Sequence, residues 1–122
     1  MALKTIIDME KYMKHLLFTT LENTEQTHSL IHHLSNLGYN GTVLSSTSLK
    51  HILQDENEDV PSFFSLAHVH ENKFVQNTTI YFILEDDELE EVKSEIKKAT
   101  NNFTSTKGGM FATKLESYEG SF

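Results

Sequence analysis

The apolar and polar positions of this chain follow one pattern that occurs twice. An apolar stretch typical of a strand is followed by a polar turn, and then by apolar residues spaced three and four apart as on one face of a helix. The first copy is Leu16–Gly38 and the second is Ile80–Thr100. Each copy is followed by a further strand-like stretch, Thr42–Thr47 and Met110–Glu116 respectively. The predicted order of elements is therefore β-α-β-β-α-β.

The first strand of each copy is predicted to be covered on both faces, and that of the second copy, Thr78–Leu84, is predicted to lie centrally in its sheet. His15–Leu21 and Thr78–Leu84 carry apolar residues at both odd and even positions, which is typical of strands covered on both faces. This element order predicts an α+β, ferredoxin-like fold, in which two helices cover only one face of a four-stranded sheet. We therefore expect the other face to pack against further copies of the chain.

Polar residues mark the predicted ends of both helices. Asn23 with Gln26, and Asp87 with Glu90, have the spacing of N-terminal capping boxes. Gly38 is placed to end the first helix in a left-handed conformation. The predicted buried faces are Leu30, Ile31, Leu34 and Leu37 in the first helix, and Leu89, Val92, Ile96 and Ala99 in the second.

Two segments fall outside the repeated pattern. Residues 1–12 are expected to be an N-terminal extension to a single domain over residues 13–122, with either Met1 or Met13 as the start. Residues 54–76 contain an acidic run, the only proline and several phenylalanines. A loop of this length in a compact domain is usually functional or disordered. Two interpretations stay open: a solvated hairpin tip, or a loop that becomes ordered when a ligand or partner binds.

The charge of the chain argues against several classes of function. Its 122 residues carry a net charge of −8, with ten lysines and no arginine. Such a surface is a poor match for duplex nucleic acid or anionic membranes, because basic side chains supply most of that affinity. The chain has no cysteine, which excludes disulfides and cysteine-based metal sites. Neither a signal peptide nor an apolar run of transmembrane length is predicted, and a cytoplasmic protein is expected.

The whole pattern resembles the PII-like signalling proteins over about residues 13–122. In this resemblance, residues 54–76 stand where PII proteins carry the long T-loop, and residues 101–109 stand where they carry the short B-loop. Three stretches are similar to the bacterial cyclic-di-AMP receptor branch of that superfamily. They are GTVLSST, QNTTIYFILEDDELEEVKSEIKK and GGMFATKLESYEGSF.

The resemblance implies a regulatory homotrimer and not an enzyme. It implies a small effector, a nucleotide such as cyclic-di-AMP, bound in the clefts between subunits, with a protein partner engaged through residues 54–76. Thr42 and Asn77 match family residues that hydrogen-bond the nucleotide. Hydroxyls, amides and backbone N–H groups have the chemistry to hold a phosphate or a base without arginine. The implied ligand-binding residues are Thr42, Asn77, Thr78, Thr79, Gly108 and Gly109.

The chain also differs from both groups of proteins. Ser48 and Leu49 stand where the receptor branch has two glycines, and Asn40 stands where it has an arginine. The basic residues that bind the ATP phosphates in PII are missing, with only Lys107 nearby. Cyclic-di-AMP is therefore one candidate ligand among several.

Two alternatives from other classes stay open. His28 and His32 lie one helical turn apart, which can place two imidazoles on one metal ion. With the loop histidines His68 and His70, they allow a metal-responsive trimer like the CutA proteins, which share the PII-like fold. The other alternative is a protein-interaction module whose acidic loop binds a basic partner. Residues 85–88 favour a helix N-terminus over a cation site. The sequence has no nucleophile elbow, P-loop or dinucleotide motif, so neither catalytic residues nor a cofactor is predicted.

Overall fold

The structure, a computed structural model, describes residues 13–49, 52–53 and 77–122. Residues 1–12 and 54–76, the subjects of two of the predictions, lie outside the described residues. The elements are β1 (His15–Glu22), α1 (Glu25–Asn36), β2 (Thr42–Ser46), β3 (Asn77–Leu84), α2 (Asp86–Ala99) and β4 (Gly108–Lys114).

The four strands form one antiparallel sheet with the order β2-β3-β1-β4. The central position predicted for β3 is confirmed, β1 is the other central strand, and β2 and β4 are the edge strands. This α+β arrangement, a four-stranded antiparallel sheet with two helices, is compatible with a ferredoxin-like fold.

The hydrophobic core lies between the two helices and one face of the sheet. Odd-numbered residues of β1 point into it, because successive side chains of a strand alternate between faces. Most of the predicted faces are buried or partly buried, but Leu37 follows the last turn of α1 and is exposed, and the buried Thr27 was not predicted. The core consists of Leu17, Leu21, Leu30, Leu34, Ile80, Phe82, Leu84, Leu89, Val92 and Ile96.

Helix α1 begins one residue later than the sequence predicted. Its N-cap is Thr24, not Asn23, and the Thr24 hydroxyl accepts a hydrogen bond from the backbone N–H of Thr27 at 3.3 Å. The Thr27 hydroxyl donates to the Glu22 carbonyl at 2.6 Å. This second bond ties the first turn of the helix to the end of β1, a long-range constraint that local capping preferences do not contain.

The predicted end of α1 is confirmed. Gly38 has a φ of 94°. The Gly38 N–H donates to the Ser35 carbonyl, and the Tyr39 N–H donates to the Leu34 carbonyl, both at 3.0 Å. These two bonds form a Schellman motif, which requires a residue with positive φ at the position of Gly38.

Helix α2 begins two residues earlier than predicted. Its capping box is formed by Glu85 and Glu88, and the Glu85 N–H donates to the Glu88 carboxylate at 3.0 Å. The cap at Asp87 is therefore wrong, because the helix follows β3 directly. Two side chains at the start of β1 contact the first residues of α2. Lys14 forms an ion pair with Glu85 at 3.1 Å, and the His15 ring hydrogen-bonds to Asp86.

A hydrogen bond from the connection after α1 to α2 raises the pKa of a tyrosine phenol. The Tyr39 hydroxyl donates to the Glu91 carboxylate at 2.6 Å. Partial burial, this hydrogen bond and the nearby carboxylates raise the pKa of Tyr39 from 10.0 to about 12. The stabilisation from a raised pKa is complete below the ordinary value of 10.0 and is lost as the pH rises through 12.

We expect the Tyr39 phenol to titrate at higher pH than an ordinary tyrosine, as measured by NMR on ring-labelled protein. Glu91→Gln should lower this pKa toward its ordinary value because it removes the charge but keeps a hydrogen-bond acceptor. The NMR resonance of Tyr39 is assigned as the one that disappears in Tyr39→Phe. An unchanged Tyr39 midpoint in Glu91→Gln would contradict the role given to this carboxylate.

Candidate functional site

The sheet face opposite the helices is open, and its middle row is aromatic. Phe111, Phe18, Tyr81 and Thr42 are directly paired across the four strands and share this face. The rings of Phe18 and Phe111 stack with their centroids 5.0 Å apart. Phe111 is nevertheless 60% exposed, and Leu44 on the same face is exposed as well. An exposed apolar row of this kind is typical of an interaction surface.

The next row of the open face contains Thr20, Thr79 and Leu44, and the two threonine hydroxyls are joined to each other and to that of Ser46 one row further. Thr79 lies between its neighbours, with its hydroxyl oxygen 3.0 Å from that of Thr20 and 2.9 Å from that of Ser46. Gly109 pairs with Thr20 on the other side. Asn77 lies one row further, at the end of the sheet, paired with both Glu22 and Ser46. An amide and three hydroxyls are therefore close to a glycine backbone at one end of the sheet.

Three of the six predicted ligand-binding residues lie together on this open face, namely Asn77, Thr79 and Gly109. Two others, Thr78 and Gly108, belong to the same end of the sheet but are paired with Leu21, so their positions face the helix layer. Thr78 is buried there, and Thr79 is buried as well, although it belongs to the open face. The sequence could not separate the two sets, because the resemblance identifies stretches of residues and not the face to which each side chain points.

Thr42 is the one predicted residue that lies elsewhere. It pairs with Tyr81, four residues before Ser46 along β2. Four residues of a strand span about 13 Å. Thr42 is therefore remote from Asn77 within one protomer.

The two adjacent glycines have different structural roles. A Cβ atom on Gly108 would lie 2.1 Å from the Thr20 carbonyl oxygen, and Gly108 has a φ of 152°. A Cβ atom on Gly109 would meet no atom within 4 Å. Packing between strands explains Gly108, whereas Gly109 leaves open space beside the hydroxyl row, where a ligand can approach the backbone.

The loop before β4 is anchored beside this end of the sheet. The Glu22 N–H donates to the Lys107 carbonyl at 2.8 Å, and the Glu22 carboxylate accepts from the Lys107 N–H at 3.4 Å. Asn101, Asn102 and Phe103 have φ values of 48°, 58° and 63°. Three consecutive non-glycine residues with left-handed φ are rare. The turn they form reverses the chain between α2 and the segment that leads to Gly108.

Sequence reasoning missed three hydroxyl groups at this end of the sheet. Thr20 and Ser46 hydrogen-bond to Thr79, and the buried Thr47 hydroxyl has no partner among the described residues. The alternation of side chains along β1 could have placed Thr20 on the open face, since successive residues such as Thr20 and Leu21 must face opposite sides. No local signal identified Ser46, because its role depends on pairing with a strand that is distant in sequence.

The histidines predicted as a metal pair lie on the exposed surface of α1. His28 and His32 are both exposed, whereas the His33 ring is hydrogen-bonded to Glu95 of α2 at 2.8 Å. Within residues 13–49, 52–53 and 77–122, no group of three or more histidine, aspartate or glutamate side chains has an arrangement suited to a metal ion. None of the described helices is long and apolar enough to span a membrane.

Comparison with known proteins supports the fold alone. No protein-family model matches the chain, and no curated protein matches it. One solved structure that does match is described as a functionally unknown protein from Pediococcus pentosaceus ATCC 25745. Its TM-score is 0.57 with 15% sequence identity, over 89% of this chain and 98% of the other.

Proposed function

We propose that this chain is a PII-like regulatory protein of the cytoplasm that binds a small nucleotide effector. The effector site is at the end of the sheet that carries Asn77 and Thr79 on β3 and, beyond Thr20 of β1, Gly109 on β4. The observation that carries the proposal is this convergence of an amide, joined hydroxyls and an unobstructed glycine backbone. Such groups can bind a phosphate or the edge of a base without arginine, and the chain has no arginine.

The proposed site is completed by a second copy of the chain. Thr42 is remote from Asn77 in one protomer, so the two residues contact the same ligand only across an interface. The open face offers such an interface, since Phe111, which stacks on the half-buried Phe18, is exposed there. A homotrimer with a cleft between each pair of subunits satisfies both requirements.

The proposed site is next in sequence to residues 54–76, which suggests how an effector signals. Asn77 is the first residue of β3 and directly follows residues 54–76. An effector that contacts Asn77 therefore acts at one anchor of that segment. It changes the segment's state only if it binds one state more tightly than the other. The changed segment then engages or releases a protein partner.

A thermal-shift screen with nucleotides and cyclic dinucleotides, followed by titration calorimetry, tests the proposal. We expect one nucleotide to raise the melting temperature, because a ligand of the native state stabilises it. The double variant Thr42→Ala and Asn77→Ala should bind that nucleotide about 100-fold more weakly, since each lost hydrogen bond is worth about tenfold.

The matched control for this double variant is Asn36→Ala, an exposed asparagine on α1. It should keep wild-type affinity. Light scattering should give a trimer for all of these proteins. Wild-type affinity in the double variant would refute the site, and a monomer at micromolar concentration would refute the inter-subunit cleft.

A further inference from the structure

A groove lies between the two helices and is lined by helix residues. The helices run antiparallel beside it: His33 of α1 contacts Glu95, whereas Tyr39, after the end of α1, contacts the earlier residue Glu91. The first turns of α1 therefore lie beside the last turns of α2. The volume of about 490 Å³ is within the range of small-molecule sites. We name this space between residues 25–33 of α1 and residues 95–99 of α2 the helix groove.

One end of the helix groove carries a carboxylate that is already paired. The His33 ring is hydrogen-bonded to the Glu95 carboxylate at 2.8 Å. The other oxygen of this carboxylate is 3.8 Å from the Lys98 ammonium, which is too far for a hydrogen bond. The Lys98 side chain is 72% exposed, and its ammonium has three N–H donors. Lys98 can therefore pair with a second anion in the groove.

The other end of the helix groove carries polar side chains that are not paired. They belong to Glu25, Gln26 and Ser29 of α1, and no hydrogen bond or ion pair joins them to any other described residue. The buried Leu30 and the half-buried Ala99 form an apolar floor. A negative group, a positive group and an apolar surface therefore line one small space.

We propose that the helix groove binds a free aliphatic α-amino acid, with the ligand ammonium paired with Glu25 and the ligand carboxylate paired with Lys98. Gln26 and Ser29 hydrogen-bond the same head group, and the aliphatic side chain lies on the apolar floor. This site is independent of the proposed effector site, because the helices cover one face of the sheet and the effector site is on the other.

The charges of the lining determine the ligand chemistry. A lone amine would be repelled by the Lys98 ammonium, and a lone carboxylate would be repelled by the Glu25 carboxylate. A molecule that carries both charges on neighbouring atoms gives each of these side chains an opposite charge. The apolar floor favours an uncharged, aliphatic remainder. Because the groove is open to water and exposed ion pairs are weak, we expect binding in the millimolar range.

Two adjacent lysines provide a matched pair of variants. Lys98→Met keeps the length of the side chain and removes the charge that faces the ligand, whereas Lys97→Met makes the same change at a residue outside the groove lining. Glu25→Gln removes the charge of the other group. Its control is Glu90→Gln, because the Glu90 side chain is 76% exposed on α2 and does not line the groove.

The experiment titrates the full chain with L-leucine, observed by NMR of the backbone amides up to tens of millimolar. We expect L-leucine to shift the amide resonances of Ser29 and Ala99. Isopentylamine, which lacks the carboxylate, and 4-methylpentanoate, which lacks the ammonium, should each bind about fivefold more weakly, the value of one exposed ion pair. Lys98→Met and Glu25→Gln should weaken L-leucine binding by a similar factor, and the two control variants should leave it unchanged.

Three results would overturn the inference. They are no binding of L-leucine, equal affinity for L-leucine and either analogue, and equal L-leucine affinity in Lys98→Met and wild type. The double variant Thr42→Ala and Asn77→Ala should bind L-leucine as the wild type does. Silence of every nucleotide with intact L-leucine binding would remove the proposed function alone. A nucleotide response without L-leucine binding would remove the helix groove site alone.

Discussion

Gly108→Ala is expected to destabilise the protein by about 3 kcal/mol or more, through overpacking and backbone strain together. The added Cβ atom would lie 2.1 Å from the Thr20 carbonyl oxygen and 2.9 Å from the Cα atom of Leu21. Both atoms belong to the backbone of β1, so neither moves aside as a flexible side chain would. The φ of 152° adds strain that glycine does not have.

The adjacent variant Gly109→Ala is the matched control, because it makes the same chemical change one residue later. A Cβ atom there meets nothing within 4 Å. We expect its stability to stay within about 1 kcal/mol of the wild type, with any gain due to lower entropy of the unfolded chain. Chemical denaturation at a fixed protein concentration measures both variants. Equal stabilities would show that β4 does not approach β1 as closely as described.

Leu34→Ala is expected to reduce the unfolding free energy by about 2–5 kcal/mol, the range for a fully buried leucine. Leu34 is 2% exposed and packs in the core between α1 and the sheet. Truncation removes buried apolar surface and leaves a cavity, because the neighbouring backbone of β1 and β3 is fixed by its hydrogen bonds. This loss is a large part of the total of about 5–15 kcal/mol for a domain of ordinary stability.

Leu37→Ala is the control for this substitution. Both leucines belong to the helix face predicted from the sequence, but Leu37 is 43% exposed. We expect its effect to stay within about 0.5 kcal/mol. The denaturation midpoint should fall for Leu34→Ala with little change in the slope. A comparable loss at Leu37 would mean that the residue is covered by something outside one protomer, and the oligomer would be the first explanation to test.

Several elements of the fold were predictable because their signals are local. The periodicity of α2 predicted that Leu89, Val92 and Ile96 are buried, and the glycine at position 38 predicted the end of α1. The apolar sequence of β3 predicted its central position. In each case a few consecutive residues contain the whole physical reason.

The helix starts show where local signals fail. Asn23 is a residue type that often caps helices, yet the N-cap is Thr24. The reason is that Thr27, in the first turn, is also hydrogen-bonded to the end of β1. Similarly, the N-cap of α2 is Glu85 and not Asp87, and Glu85 forms an ion pair with Lys14. Several capping residues in succession give nearly equal local preferences, and a tertiary contact selects among them.

The candidate site was only partly predictable. The resemblance indicated the stretch that contains Asn77 and Thr79, and both residues lie on the open face with Gly109. It did not indicate the Thr20 hydroxyl, because Thr20 contacts Thr79 only through the pairing of β1 with β3. The position of Thr42, remote from Asn77, follows from the register of β2.

The sequence alone determined the order of the elements, the buried face of each helix and the absence of arginine from any anion site, because these depend on residue type and on spacing within short stretches. Only the tertiary structure decided which faces the predicted site residues occupy, why Gly108 and Gly109 differ, and where the segment after β4 meets the rest of the chain. The physical reason is strand pairing: a register set by hydrogen bonds between distant segments fixes the face of every side chain, and no single strand contains that information.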